Sequence, residues 1–176
     1  MKFNWALAAA GAVVIGVFVF VVVHGFGRDP HEVPFMLTGK PAPDFTLTRV
    51  DDGSPVTAQG LRGKPLILNF WSTWCVPCAS EAPVLEWGAG KLAGKVEVIG
   101  VVYEDTETNV KEFLRNKPST YVQTLDLKGT AAVDFGLAGV PETYFIDAKG
   151  EIRYKHVGPI DEDTLMKKAL LIEGHS

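Results

Sequence analysis

Leu66–Cys78 reads LILNFWSTWCVPC, and its two ends ask different things of the backbone. Leu66 to Trp71 is apolar except at Asn69, the pattern of a short strand buried on both faces. From Cys78 to about Leu92 the chain reads as a helix, with a kink expected at Pro83. Cys75, Val76, Pro77 and Cys78 therefore occupy the junction between a buried strand and a helix N-terminus. Unpaired N–H groups and the positive end of the helix dipole favour a thiolate there, and the thiolate is the nucleophile in disulfide exchange. Cys78 lies one turn on, close enough to attack a mixed disulfide formed at Cys75. In a strand–helix–strand setting this spacing is a redox motif. Zinc would need four ligands, and His156 and His175 lie far off in sequence. Covalent haem attachment would need histidine at position 79, which is Ala79. A purely structural disulfide would need neither the junction nor the neighbouring Trp71 and Trp74.

Outward from this stretch, apolar runs alternate with helical patterns. Asp44–Val50 alternates as a half-exposed strand and is turned by Asp51-Asp52-Gly53. Val96–Tyr103 is a second buried strand, and Thr106–Asn116 carries Val110, Phe113 and Leu114 at helical spacing. Thr143–Asp147 and Ile152–His156 form a hairpin through Ala148-Lys149-Gly150. Asp161–Ile172 closes the chain as a helix with acidic residues in its first turn. The order strand, helix, strand, helix, hairpin, helix predicts an α/β domain with a mixed central sheet flanked by helices.

Ala6–Val23 is apolar apart from Gly11 and Gly16, and no Lys, Arg, Asp or Glu occurs between Lys2 and Arg28. A helix of this length matches a hydrocarbon core of roughly 30 Å. The Val- and Phe-rich second half offers no A-x-A cleavage site, and no amphipathic face marks a packed core helix. An uncleaved anchor over residues 1–26 is expected, N-terminus inside, followed by a Gly- and Pro-rich tether over 27–38 and one domain over 39–176. His24 and His31 read as solvated linker residues. The chain has 176 residues, a length for one domain plus an appendage, and its 17 basic residues against 21 acidic ones leave no footprint for nucleic acid. Two cysteines are too few for a disulfide scaffold.

LNFWSTWCVPC with Glu81 and Pro83, and GVPETYFID at Gly139–Asp147, resemble the thioredoxin-like, membrane-anchored envelope thiol:disulfide reductases. The Gly-Val-Pro-Glu-Thr segment is most similar to the cytochrome c biogenesis branch, CcmG or DsbE, within the TlpA-like proteins. GKPAPDFTL (Gly39–Leu47) and LRGKP (Leu61–Pro65) extend the resemblance over about residues 39–172. The opening APDFTL is shared with peroxiredoxins, whose P-x-x-x-[ST]-x-x-C pattern is not met.

The resemblance implies a thioredoxin-like fold and a redox-active Cys75–Cys78 disulfide, with Cys75 the exposed attacking thiol and Cys78 the buried resolving one. Pro141 matches a cis-proline facing the disulfide, which leaves the Val140 backbone free to pair with a substrate strand. Trp74, Val76 and Pro77 flank the sulfurs as substrate contacts, Trp74 on the surface and Trp71 in the core. Asn69 stands where ordinary thioredoxins carry a buried aspartate, and asparagine cannot act as a base. Proton handling then falls to Glu81 or Glu142, unless these are a solvated helix residue and a loop carboxylate. Glu104 and Asp105 fall where relatives carry an acidic patch. Negative charge near Cys75 would disfavour the thiolate and make the dithiol a reductant. No cofactor or metal is implied. The implied partners are apocytochrome c or a maturation thiol protein, and a CcdA/DsbD-type membrane thiol reductase as electron donor. The implied place is the inner membrane, with the catalytic domain on the periplasmic side. A general TlpA-like reductase is the alternative, and a copper-delivering chaperone, usually C-x-x-x-C with an added histidine, fits less well.

Overall fold

The computed structural model describes residues 5–25 and 36–174, with side chains in the first helix described at Trp5 and at residues 9–21. The chain divides into two units, residues 1–33 and residues 34–176. The first carries α1 (Trp5–Gly25), 21 residues long, and its side chains from Ala9 to Val21 are exposed. Among the described residues no helix is long and apolar enough to cross a membrane. Most of the tether expected at 27–38, with His31, lies outside the described residues, as do His175 and the side chain of His24.

The second unit is built on one seven-stranded mixed sheet of order β2-β1-β5-β4-β3-β6-β7. Its elements are β1 (Thr46–Arg49), β2 (Pro55–Thr57), β3 (Leu66–Trp71), α2 (Val76–Leu92), β4 (Glu97–Val102) and α3 (Glu107–Asn116). They continue with β5 (Val122–Leu125), α4 (Thr130–Asp134), β6 (Glu142–Ile146), β7 (Ile152–Val157) and α5 (Glu162–Glu173). β3 lies between β4, which is parallel to it, and β6, which is antiparallel, and all six of its residues are buried. That is the place its apolar run, broken only at Asn69, calls for, because a strand covered on both faces has little room for polar residues.

Alternation along β3 sorts the core. Leu66, Leu68 and Phe70 join Tyr144 and Ile146 of β6 on one face, with Phe45, Leu47 and Phe135 packed over them. Phe70 and Tyr144 meet edge-on at 5.5 Å between ring centroids, and Phe135 and Tyr144 do so at 5.1 Å. Ile67 and Phe145 point to the other face, against Leu85 and Leu92 of α2 and Leu165, Ala169 and Ile172 of α5. α2 thus crosses the sheet on the Asn69–Trp71 side with its N-terminus at the C-terminal end of β3.

α2 meets α5 at Gly88, where an added Cβ would stand 2.3 Å from Leu165 Cδ2. Leu165 is 1% exposed and has no room to swing away. Gly88→Ala is expected to destabilise the domain by about 1–3 kcal/mol through overpacking, read as a lower urea midpoint at an unchanged slope.

Four elements lie outside the sequence-based reading: β2, β5, α4 and a single 3-10 turn at Gln59–Leu61. β5 is short and contains buried Gln123 and Thr124, so no apolar run marks it. α4 is five residues long, too short for a helical period to register. α2 also starts earlier than expected, at Val76, because Cys75 itself caps it: Cys75 Sγ accepts from the Cys78 N–H at 3.2 Å. Pro77 is tolerated in that first turn, where no intrahelical partner awaits an N–H. The helices at Thr106–Asn116 and Asp161–Ile172 begin one residue later than read, since Thr106 and Asp161 are their N-caps, accepting from the Asn109 and Thr164 N–H groups.

Candidate active site

The sulfurs of Cys75 and Cys78 are bonded at 2.02 Å, where β3 has ended and α2 begins. The β3–β6 ladder pairs Phe70 with Glu142, which brings the residues just before β6 level with the loop after β3. The Val140–Pro141 peptide bond in that position is cis. Cys75 Sγ lies 3.6 Å from the Val140 carbonyl oxygen. A disulfide sulfur has no proton to donate, so this is a packing contact between the reacting atom and the loop facing it.

The expected contrast between an exposed Cys75 and a buried Cys78 does not appear. In the disulfide form the two residues are 4% and 3% exposed, and both belong to the buried cluster that holds Trp71 and Val102, with Val140 packed against it. The cause is local: capping α2 turns Cys75 Sγ inward to the Cys78 N–H, and the Val140 carbonyl covers it. Exposure passes to the neighbours, Trp74 at 59% and Val76 at 77%, with Pro77 also exposed. Trp74 is at the surface and Trp71 in the core, where its indole N–H donates to Gln123 Oε1 at 2.9 Å and its ring meets Phe113 at 5.1 Å. Gln123 can lie there only over a glycine, since a Cβ at Gly100 would stand 2.0 Å from its Oε1.

The loop before Cys75 is fastened by the segment after β4. Thr73 donates to Asp105 Oδ2 from its N–H at 2.8 Å and its hydroxyl at 2.6 Å. The Ser72 hydroxyl donates to the Tyr103 carbonyl, and the Trp74 indole to the Glu104 carbonyl at 3.1 Å. Glu104 is held in the left-handed region, φ 46°, and its carboxylate accepts from the Tyr103 hydroxyl at 2.9 Å. Burial pushes the Asp105 carboxyl up, but the hydrogen bonds from Thr73, Thr106 and Asn109 outweigh it and hold the pKa below its ordinary value. Glu104 and Asp105 thus act as staples for the active-site loop, a role their reading as a plain acidic patch missed.

The two carboxylates singled out in the sequence have different fates. Glu81 is 2% exposed, not a solvated helix residue. Its Oε1 accepts from Asn69 Nδ2 at 2.9 Å and its Oε2 from the Ile160 N–H at 2.9 Å. Burial raises its pKa to about 7, against the downward pull of those two hydrogen bonds. Asn69 cannot be a base, yet its amide, which also donates to Thr143 Oγ1 at 3.0 Å, holds one in place. Glu142 is not a loop carboxylate beside the sulfurs. It is 1% exposed, shares the Phe70–Tyr144 face of the sheet, opposite α2, and pairs with Lys155 Nζ at 2.8 Å. Alternation from Thr143, which meets Asn69, sends Glu142 to that other face. The expectation that it handles the proton, or sets unpaired negative charge beside Cys75, is corrected accordingly. Among the described residues no cluster of His, Cys, Asp and Glu could hold a metal ion.

Residues 38–155 match the AhpC/TSA family. The chain belongs to that family. Curated proteins to which it is similar are named thiol:disulfide interchange proteins. It is similar to DsbE of Pseudomonas fluorescens biotype C, with 40% identity over 161 residues covering 90% of this chain and 88% of that protein. It is also similar to HelX of Rhodobacter capsulatus, with 37% identity over 143 residues and 80% of each chain covered. A solved structure of a thioredoxin-family thiol:disulfide interchange protein from Chlorobium tepidum superposes with a TM-score of 0.69 at 27% identity, covering 76% of this chain and 96% of that one. With a Cys75–Cys78 pair at bonding distance in a thioredoxin-like fold, this AhpC/TSA-family protein is a thiol:disulfide oxidoreductase.

Proposed function

We propose that the protein reduces disulfides of envelope proteins, and that its substrate is the C-x-x-C-H haem-binding site of apocytochrome c or a thiol protein that serves it. The reading rests on one observation above all: the Cys75–Cys78 pair at the start of α2, faced by the Val140 carbonyl. In the reduced form the Cys75 thiolate, favoured by the α2 N-terminus, attacks a substrate sulfur. A Cys75–substrate disulfide forms, and the other substrate sulfur leaves and takes up a proton. Cys78 then gives its proton to Glu81, three residues on along the same helix face, and attacks Cys75 Sγ. The Cys75–Cys78 bond closes and the second substrate sulfur leaves as a thiol. Two electrons have passed to the substrate, and a CcdA/DsbD-type membrane thiol reductase returns them. A carboxyl near pKa 7 suits this task, because both of its protonation states are accessible at neutral pH.

Substrate docks, in this reading, as a strand along Val140, between the exposed Trp74, Val76 and Pro77. An anchoring role for the apolar Ala6–Val23 stretch, with the domain on the periplasmic side of the inner membrane, draws on the sequence and the resemblance alone. The electron-donating direction draws on the resemblance to the cytochrome c biogenesis reductases. It no longer draws on Glu142, whose charge Lys155 offsets.

The test is Cys78→Ser in full-length protein expressed in a host that makes c-type cytochromes. With the resolving thiol gone, Cys75 is expected to accumulate in mixed disulfides containing apocytochrome c or its maturation thiol protein, identified by non-reducing gels and mass spectrometry. Adducts spread over unrelated envelope proteins would favour a general reductase. A Cys75–Cys78 potential near about −120 mV, that of a strong oxidant, would overturn the direction.

A further inference from the structure

Lys155 is a buried lysine for which the exchange reaction as described has no use. Its side chain is 8% exposed on β7, directly opposite Tyr144 in the β6–β7 ladder. Nζ lies 2.8 Å from Glu142 Oε2 and donates to the Gly136 carbonyl at 3.1 Å, above the Tyr144 ring at 5.2 Å from its centroid. The other Glu142 oxygen accepts from the Ala138 N–H at 3.4 Å. The Tyr144 hydroxyl is 2.9 Å from Glu142 Oε2 and 3.1 Å from the Phe135 carbonyl, with one proton to share between them. Apart from the ring contact, these contacts hold the segment from Phe135 to Ala138 or the Glu142 that follows Pro141. Between them runs Gly139–Val140, whose carbonyl stands 3.6 Å from Cys75 Sγ.

We propose that Lys155 is the positioning residue for the substrate-facing loop: by clamping Glu142 and the Gly136 carbonyl from the far face of the sheet, it sets where the Val140 backbone stands against the disulfide. A buried ammonium is costly unless its partners are fixed, and two oxygens it meets here belong to this loop and to the strand that continues it. The clamp acts on peptide docking and leaves the sulfur chemistry to Cys75, Cys78 and Glu81. The inference rests on the reading that substrate pairs with Val140.

Lys155→Met in the full-length protein tests it with two substrates, a disulfide-bonded C-x-x-C-H peptide and Ellman's reagent, a small disulfide that cannot pair as a strand. The expected result is a KM for the peptide raised about tenfold or more, with the rate for Ellman's reagent within about twofold of the parent and the Cys75–Cys78 potential unchanged. Lys155→Arg, which keeps the cation, is expected to restore most of the peptide KM. Should Lys155→Met not fold, the pair Lys155→Met/Glu142→Gln, which leaves no uncompensated buried charge, carries the same comparison. An unchanged peptide KM, or equal losses with both disulfides, would overturn the role of Lys155. A parent protein that reduced Ellman's reagent but not the peptide would instead overturn the substrate reading.

Discussion

Cys75→Ser is expected to lower turnover of a protein disulfide by ~10³-fold or more while the domain stays folded. The two consequences separate because Cys75 has two jobs. Its sulfur, at the N-cap of α2, is the attacking atom in the proposed exchange. Its side chain is also the N-cap of α2, accepting from the Cys78 N–H at 3.2 Å. Serine is among the best N-caps, so the helix start survives the exchange of sulfur for oxygen. The disulfide closes a loop of only a few residues, so its loss returns little entropy to the unfolded chain. Single-turnover reduction of a C-x-x-C-H peptide disulfide, measured beside a urea unfolding curve, checks both halves. Substantial residual turnover would place the nucleophile elsewhere.

Glu81→Gln is expected to slow resolution of the mixed disulfide by ~10²–10⁴-fold, the range for loss of a positioned base. The amide keeps an acceptor for the Ile160 N–H but cannot take the Cys78 proton. The rate inflection near pH 7 expected of the parent disappears with it. Stability moves as well, and its sign is fixed by linkage. The carboxyl binds its proton up to about pH 7 in the folded state, against an ordinary value of 4.5. Its favourable contribution is therefore complete below about 4.5 and is lost as pH rises through 7. Glu81→Gln has no such loss, so it is expected to be more stable than the parent at pH 8, with the gap narrowing towards pH 5. Stopped-flow resolution rates from pH 5 to 9, with denaturation at the two pH values, measure both effects. A variant that kept the inflection would remove Glu81 from the proton path.

Much of this was legible in one chain because the decisive features are local. A short apolar run broken only at Asn69 reads as a central strand, and the C-x-x-C after it falls at the start of the helix that follows. Pro141 could be placed opposite the sulfurs only through the Gly-Val-Pro-Glu-Thr resemblance, since the register that brings it there joins residues far apart in sequence. What stayed hidden depends on such long-range pairing. Glu81 and Glu142 look alike in sequence, yet α2 turns one onto Asn69 and the alternation of β6 turns the other onto Lys155. Gln123, a polar residue in a strand too short to show a period, serves the Trp71 indole across β4. Asp105 reads as one more surface acid until Thr73 is seen to donate to it twice.

The most direct measurement mixes reduced full-length protein with one equivalent of an oxidised C-x-x-C-H peptide and follows the thiols of both by alkylation and mass spectrometry. Peptide thiols are expected to appear as Cys75–Cys78 closes, one disulfide made for each one broken. Protein that stays reduced beside oxidised peptide, or oxidised protein that drives disulfides into reduced peptide, would contradict a reductase working through this pair.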